Sequence, residues 1–170
     1  MIRSFEGKVP RIAESAWVAE TAYVIGDVEI GEGSSVWPSA VVRGDFASIR
    51  VGSNTHLEDC CVVHTGEALA IGDNVTAGHG VVIHCRRVGD NVLLGNNATI
   101  LDGAEIGSFT IVAAGAVVTP RTIVPDGSFV RGLPATIEPL DELRRARLQA
   151  RRRPDTGYSA MVRRYKQAGL

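Results

Sequence analysis

Aliphatic residues recur at every sixth position along most of the chain, and small or polar residues fill many of the positions between them. A period of six matches neither an α-helix nor a single two-faced strand. It is typical of short strands that are joined by tight turns and wound into a parallel β-helix. The aliphatic positions are Ile12, Val18, Val24, Ile30, Val36, Val42, Val51, Leu57, Val63, Ile71, Ala77, Ile83, Val88, Leu94, Ile100, Ile106, Val112, Val118, Val124 and Val130. A β-sandwich with regular turns is the alternative, and the constant phase of the repeat argues against it.

The repeat stops near residue 132, and a helical pattern follows it. Residues 139–153, PLDELRRARLQARRR, predict a helix that Pro154 ends. The apolar stripe of this helix is predicted to be Leu140, Leu143, Ala146 and Ala150. A second short helix is predicted from about Gly157 to Gln167. The arginine-rich face could indicate nucleic-acid binding, but a solvated helix lying along the coil is the favoured interpretation.

These patterns divide the chain into a parallel β-helix domain, residues 1–137, and a helical segment, residues 138–170, that packs on the coil. The formal net charge of −1 gives no reason to expect nucleic acid as a partner. No run of 18 apolar residues predicts a membrane span, and the N-terminal residues do not resemble a secretory signal. Three cysteines without a CxxC motif suit a reducing cytoplasm. Cys61 and Cys85 are interpreted as small buried hydrophobic residues.

The repeat also predicts which polar residues stack. If three hexads make one turn, residues three hexads apart lie about 4.8 Å apart on adjacent rungs. Arg43, His64 and His84 each follow an aliphatic position of the same column, so we expect them on consecutive rungs. The two histidines are 20 residues apart, so the link TGEALA before Ile71 should bulge as a loop. Asp59 and His79 are expected to stack around the corner from this column.

His79 and His84 cannot easily share a ligand within one chain, because five extended residues span about 16 Å. A threefold ring of head-to-tail contacts would bring His79 of one chain to His64 and His84 of the next. Three imidazoles with an open fourth position are typical of catalytic zinc, and Fe²⁺ or Co²⁺ would also suit them. A subunit interface held by histidine hydrogen bonds is the alternative. His56 is interpreted as a surface residue.

Three stretches carry a resemblance to a known family: WPSAVVRGD (37–45), NTHLEDCCVVHTG (54–66) and IGDNVTAGHGVVIHC (71–85). They resemble the γ-class carbonic anhydrases, and more narrowly the shorter bacterial branch of that family. The C-terminal stretch GYSAMVRRYK also resembles the tail of this branch. The resemblance implies a left-handed, homotrimeric coil that reversibly hydrates CO2 to bicarbonate with Zn²⁺ bound between subunits.

The resemblance also implies a role for each matching residue. His64, His79 and His84 correspond to the metal ligands, with His79 contributed by the adjacent subunit. Arg43 and Asp45 match an interface pair in which the arginine also engages bicarbonate, and Asp59 matches an aspartate near the metal. The tail tyrosine that reaches the active site is matched by Tyr158.

Two departures from the family pattern affect the expected chemistry. Glu58 stands where the family commonly has glutamine, and an ionised carboxylate accepts hydrogen bonds but cannot donate them. The link before Ile71 is short, with Glu67 as its only carboxylate for proton export. In the expected mechanism, zinc lowers the pKa of its water to about 7 and the resulting hydroxide attacks CO2. Glu58 or Asp59 orients the water or accepts a proton, and Arg43 steadies the anionic product.

Other functions fit the same repeat. Many hexapeptide enzymes transfer acyl groups from coenzyme A, and SFVRGLPATI (128–137) resembles their coil-ending segment. Such enzymes typically need one histidine base, so three clustered histidines argue against this assignment. Thioester hydrolysis by a metal-bound hydroxide and a non-catalytic, metal-stabilised trimeric scaffold remain open alternatives.

Overall fold

A computed structural model describes residues 1–150 and 157–169 of the chain. It is a parallel β-solenoid of about seven turns with two short helices, so the fold predicted from the repeat is confirmed. Most strands have two residues because each rung turns a corner after every hexad. The aliphatic positions of the repeat point inward and form the core; Leu57, Val63, Ile83, Leu94 and Ile100 are among the fully buried side chains.

The strands in the described residues are β1 (Ile2–Arg3), β2 (Arg11–Ile12), β3 (Trp17–Val18), β4 (Tyr23–Ile30), β5 (Ser35–Val36), β6 (Val41–Val51), β7 (His56–Leu57), β8 (Val62–His64), β9 (Leu69–Ile71), β10 (Thr76–Ala77), β11 (Val82–Ile83), β12 (Arg87–Val88), β13 (Leu93–Leu94), β14 (Thr99–Ile100), β15 (Glu105–Ile106), β16 (Ile111–Val112), β17 (Val117–Val118), β18 (Ile123–Val124), β19 (Ser128–Gly132) and β20 (Ala135–Pro139). The helices are α1 (Glu142–Ala150) and α2 (Gly157–Gln167).

The coil has three faces. Face 1 is one sheet, in the order β20-β19-β16-β13-β10-β7-β5-β3. Face 2 contains β8, β11, β14 and β17, and face 3 contains β9, β12, β15 and β18. Faces 2 and 3 belong to one sheet because β4 and β6 run unbroken from one face to the other. The neighbouring rungs pair in parallel, and the antiparallel β19–β20 hairpin lies at the end of face 1.

Helix α1 differs from its prediction. It begins at Glu142, and the preceding Asp141 caps it by accepting a hydrogen bond from the backbone N–H of Arg144 at 2.7 Å. The predicted end of the helix, residues 151–153 and Pro154, lies outside the described residues. The predicted stripe is wrong for Leu143, Ala146 and Ala150, which are exposed, and the buried residues are Leu140 and Leu148. Arg144 lies four residues from each of these leucines, and its guanidinium packs 4.0 Å from the centre of the Phe129 ring.

Helix α2 has the predicted bounds and packs across the first rungs of face 1. Tyr165 makes edge-on contacts with Trp17 and Trp37, at ring-centre distances of 5.2 Å to each. The two tryptophans also contact each other at 5.0 Å, and Val162 of α2 is buried. Lys166 donates hydrogen bonds to backbone carbonyls of the first rungs. The helix therefore covers the outer surface of the coil's N-terminal end.

The interpretation of His56 as a surface residue is wrong. Its side chain points outward from face 1, but α2 covers it and leaves the residue 7% exposed. The Nδ1 atom lies 2.8 Å from Ser35 Oγ, and the Nε2 atom lies 3.3 Å from Ser159 Oγ on α2. Burial lowers the pKa of His56 to about 4. His56 is therefore a neutral, hydrogen-bonded residue beneath the helix at neutral pH.

Cys61 and Cys85 are fully buried, as predicted, and burial raises the pKa of each thiol to about 12. Among the described helices, neither is long and apolar enough to cross a membrane.

Candidate metal site

His64 and His84 stack on adjacent rungs where face 2 ends. Arg43 pairs with His64 between β6 and β8, and Val62 and Val63 pair with Val82 and Ile83 between β8 and β11. His64 directly follows Val63 in β8, and His84 directly follows Ile83 at the end of β11; the two ring centres lie 5.4 Å apart. The stacking predicted from the hexads is thus seen in the structure. The link after His64 forms a loop before β9, which allows the extra two residues.

The environment of His64 is polar on one side and aromatic on the other. Its Nε2 atom lies 3.2 Å from Asp45 Oδ1, and Arg43 donates a hydrogen bond to the other oxygen of Asp45. Partial burial alone would raise the pKa of Asp45, but the hydrogen bond and charge of Arg43 outweigh it and the pKa is lowered. Burial, followed by the charge of Arg43, lowers the pKa of His64. The ring of Phe46, which is 75% exposed, lies 5.7 Å from the imidazole.

His84 has a carboxylate partner that the sequence reasoning missed. Its Nδ1 atom lies 3.1 Å from Asp102 Oδ1. Asp102 comes two residues after Ile100, which pairs with Ile83 on the next rung, so the same column arithmetic could have found it. Glu67 also lies at this corner. Its Oε1 atom is 3.7 Å from the position that a Cβ atom would take on Gly103, the residue after Asp102.

His79 lies at the opposite edge of face 2, at the corner that joins face 1. Its Nδ1 atom is 3.0 Å from Asp59 Oδ2, and its Nε2 atom is 3.1 Å from Glu58 Oε2. The predicted stacking of Asp59 below His79 is seen in the backbone, where Gly80 N–H donates to the Asp59 carbonyl at 2.9 Å. The side chain of Glu58 is almost fully buried, whereas that of His79 is 52% exposed.

Tyr158 lies on the His79 side of the chain. Its ring packs 5.1 Å from Trp37 and 5.6 Å from His56. Tyr158 and Asp59 both line a cleft of about 570 Å³ between the coil and α2, which Trp37, Tyr165 and Arg164 also line. The cleft thus links the tail tyrosine to the carboxylate that contacts His79.

One chain presents two separate sets of candidate ligands. The His64 half-site consists of His64, His84 and their partners Asp45 and Asp102; the His79 half-site consists of His79, Glu58 and Asp59. Within the described residues of a single chain, no group of three or more His, Cys, Asp and Glu side chains lies close enough to hold a metal ion. Imidazole nitrogens are suitable donors for zinc, but the fit requires the two half-sites of different chains to meet.

Comparison with known proteins adds independent information. Residues 87–120 match the family described as bacterial transferase hexapeptide (six repeats). The chain is 48% identical over 128 residues to the probable carbonic anhydrase of Methanocaldococcus jannaschii, covering 74% of this chain and 80% of that protein. It is 44% identical over 136 residues to the mitochondrial gamma carbonic anhydrase 2 of Arabidopsis thaliana, covering 75% of this chain. The match spans only about half, 49%, of the Arabidopsis protein.

A solved structure matches nearly the whole chain. The crystal structure of a candidate acetyltransferase from Bacillus cereus is 33% identical and superposes with a TM-score of 0.91, covering 98% of this chain and 97% of that one. The superposition therefore spans nearly the full length of both chains.

Proposed function

Since the chain belongs to the γ-class carbonic anhydrase family of hexapeptide-repeat proteins, we propose that it is a zinc-dependent enzyme that reversibly hydrates CO2 to bicarbonate at the interfaces of a homotrimer. The proposal is carried by one observation: the two half-sites lie at opposite edges of the same face. His64 and His84 lie where face 2 ends, and His79 lies where face 2 begins. His79 and His84 also lie on the same rung, because Ala77 and Ile83 belong to consecutive faces of one turn.

This placement suits a threefold arrangement around an axis parallel to the coil. When three prisms turn face 2 towards a common axis, the beginning of that face in one chain meets its end in the next. The two half-sites then meet at matching heights without any chain changing shape. Each interface would receive two imidazoles from one chain and one from its neighbour.

The surface between the half-sites supports the same arrangement. Its outward positions pair from rung to rung as Val41, Val62, Val82, Thr99 and Val117. Val62 is 38% exposed, and the other four are partly exposed. A row of β-branched, mostly aliphatic side chains gains free energy when a partner covers it.

The chain's own residues would divide the chemistry among them. Bound zinc supplies a Lewis acid that lowers the pKa of a bound water towards neutrality. Glu58 is almost fully buried beside His79 and would orient that water or accept its proton. Arg43 is ion-paired to Asp45 and would hold the bicarbonate anion by a charge-assisted hydrogen bond. Asp59 would hold His79 through Nδ1, and Tyr158 would border the site from the cleft.

Mixed trimers test whether ligands come from two chains. His79→Ala and His84→Ala protomers, each inactive alone, are unfolded, mixed in equal amounts and refolded. Random assembly places an intact His79 against an intact pair of the neighbour at about one quarter of the interfaces. We expect stopped-flow CO2 hydration and bound zinc to recover to about that fraction of the wild-type values.

The control is the His79→Ala protein refolded with itself, which should stay inactive. Mixed trimers that recover neither zinc nor activity, although the wild type refolds with both, would contradict an inter-subunit site. Zinc binding without CO2 hydration in the wild type would contradict the proposed activity and leave the metal site in place.

A second candidate is an acyltransferase that uses coenzyme A, and the Bacillus cereus similarity over nearly the whole chain favours it. In that case a histidine would act as a base and need no metal. Acetyl transfer from acetyl-CoA that survives a chelator, together with absent CO2 hydration, would support this candidate over the first.

We also propose a reducing compartment, such as the cytoplasm, for the protein. The proposal is supported by Cys60, Cys61 and Cys85, all of which are free thiols.

A further inference from the structure

We propose that Asp102 is a positioning residue that fixes the tautomer of His84 and so presents the Nε2 atom of that histidine to the metal. The metal part of this inference rests on the proposed function, because it takes His84 as a ligand. The tautomer part rests on the geometry of one chain alone. Nothing in the repeat or in the family resemblance assigned a role to Asp102.

The first support is a pattern that the three candidate ligands share. Each histidine contacts an aspartate that lies one rung away in the coil: Asp45 for His64, Asp59 for His79 and Asp102 for His84. Asp45 and Asp59 come from the rung below their histidine, whereas Asp102 reaches back from the rung above. Asp102 therefore completes a set in which every candidate ligand has its own carboxylate.

The second support is the atom that Asp102 contacts. An ionised carboxylate only accepts hydrogen bonds, so the Asp102 carboxylate, whose Oδ1 lies 3.1 Å from Nδ1, favours a proton on that nitrogen. A neutral imidazole with a proton on Nδ1 carries its lone pair on Nε2. A carboxylate that holds the distal N–H of a ligating histidine also fixes the ring orientation and raises the basicity of the ligating nitrogen.

The third support is the backbone of Asp102, which the next rung holds in place. Its carbonyl accepts a hydrogen bond from the backbone N–H of Arg121 at 2.8 Å. The turn continues through Gly103, whose φ of +66° lies in the left-handed region. Ala104 N–H then donates to the Leu101 carbonyl at 3.1 Å and closes the turn. The side chain of Asp102 is thus mounted on a defined corner, although water reaches much of it.

The test that needs no metal is the tautomer itself. Metal-free protein with ¹⁵N-labelled imidazoles is observed by long-range ¹H–¹⁵N NMR at about pH 8, where the neutral tautomers of imidazole can be distinguished. The signals of His84 are identified among those of the four histidines by their loss in His84→Gln. We expect an Nδ1–H signal in the wild type and in Asp102→Asn, whose amide oxygen still accepts, and a population shift towards Nε2–H in Asp102→Ala.

The second test is zinc affinity, measured by competition with a chromophoric chelator. We expect Asp102→Ala to weaken zinc binding about 10- to 100-fold, and Asp102→Asn to restore most of the loss. Glu138→Ala is the matched control, because it removes an exposed carboxylate that is ion-paired with Arg131 on the β19–β20 hairpin. This control should bind zinc as the wild type does.

The two tests separate this inference from the proposed function. An unchanged His84 tautomer in Asp102→Ala overturns the inference whatever the metal result. An altered tautomer with unchanged zinc affinity also overturns it, because positioning would then have no effect on the ligand. A wild type that binds no zinc contradicts the proposed function and the metal part of the inference, and the NMR result still decides whether Asp102 sets the tautomer.

Discussion

At the scale of single residues, His56 shows how an outward position becomes part of the interior. The hexads place it on the outer surface of face 1, and only the return of α2 buries it. Trp37 donates its indole N–H to Ser35 Oγ at 2.8 Å, and the same oxygen lies 2.8 Å from His56 Nδ1. This small network holds a neutral imidazole, and protonation would place a charge under the helix with no carboxylate to balance it among the contacts described above.

We therefore predict an acid-sensitive stability that depends on His56. Its pKa of about 4 lies below the ordinary 6.5, so the unfolded chain takes up a proton first as the pH falls. This contribution is complete above about pH 6.5 and is lost between about pH 6.5 and 4, by about 3 kcal/mol in total. Urea unfolding of the wild type and His56→Gln across this range measures it. Identical pH slopes for the two proteins would refute the assignment.

Glu58 allows a second residue-scale prediction. If its carboxylate handles the proton, Glu58→Gln should lower kcat for CO2 hydration on the order of 100-fold, with the zinc content unchanged. The amide keeps the size of the side chain and removes the charge, so the packing beside His79 is preserved. Glu138→Gln, an exposed change at the hairpin, serves as the control for charge alone. A higher kcat after Glu58→Gln would contradict a role of this carboxylate in proton transfer and would indicate that it holds the water too tightly.

At the scale of elements, α2 packs on rungs that are distant from it in the sequence, the first rungs of face 1. Its aromatic residues cover the only two tryptophans, so its docking can be followed by intrinsic fluorescence. The repeat predicted the strands well because each hexad repeats the same local pattern. It could not predict which rungs the helices cover, since that depends on contacts such as His56–Ser159, which are 103 residues apart.

We predict that Tyr165→Ala loosens α2 from face 1. The ring contacts both tryptophans, and its loss should cost about 2 kcal/mol and shift the tryptophan emission to longer wavelength. Tyr165→Phe keeps the ring and should behave as the wild type in both measurements. Unchanged emission in Tyr165→Ala would show that the helix is held mainly by other contacts.

At the scale of the whole molecule, the proposed metal site needs a second copy of the chain. The stacking of residues on adjacent rungs could be predicted from the sequence, because a period of six fixes which residues stack. This period alone was enough to predict the column of Arg43, His64 and His84. The column pattern did not point to Asp102, because this residue contacts His84 from the following rung. The meeting of the half-sites remains a proposal, since it depends on how whole coils pack.

We predict that Val62→Lys breaks the trimer. The substitution places a charge in the middle of the aliphatic row on face 2, which the proposed contact would desolvate. Sedimentation velocity should show loss of the three-chain species and of bound zinc. Ile123→Lys is the matched control, because Ile123 is a 61% exposed aliphatic residue on face 3. Equal effects of the two substitutions, or a Val62→Lys trimer that still holds zinc, would contradict the threefold arrangement.

The position of α2 on the first rungs also has a consequence for biosynthesis. A solenoid can begin to wind while the ribosome is still adding rungs, because each turn needs only its neighbours. The tryptophan surface near the start of this coil nevertheless waits for Tyr158 and Tyr165, which come well over one hundred residues later in the chain than the Trp37 and Trp17 rings they contact. During that interval the nascent chain exposes an aromatic surface. Chaperones that bind exposed aromatic surfaces can bind there before α2 has been synthesised.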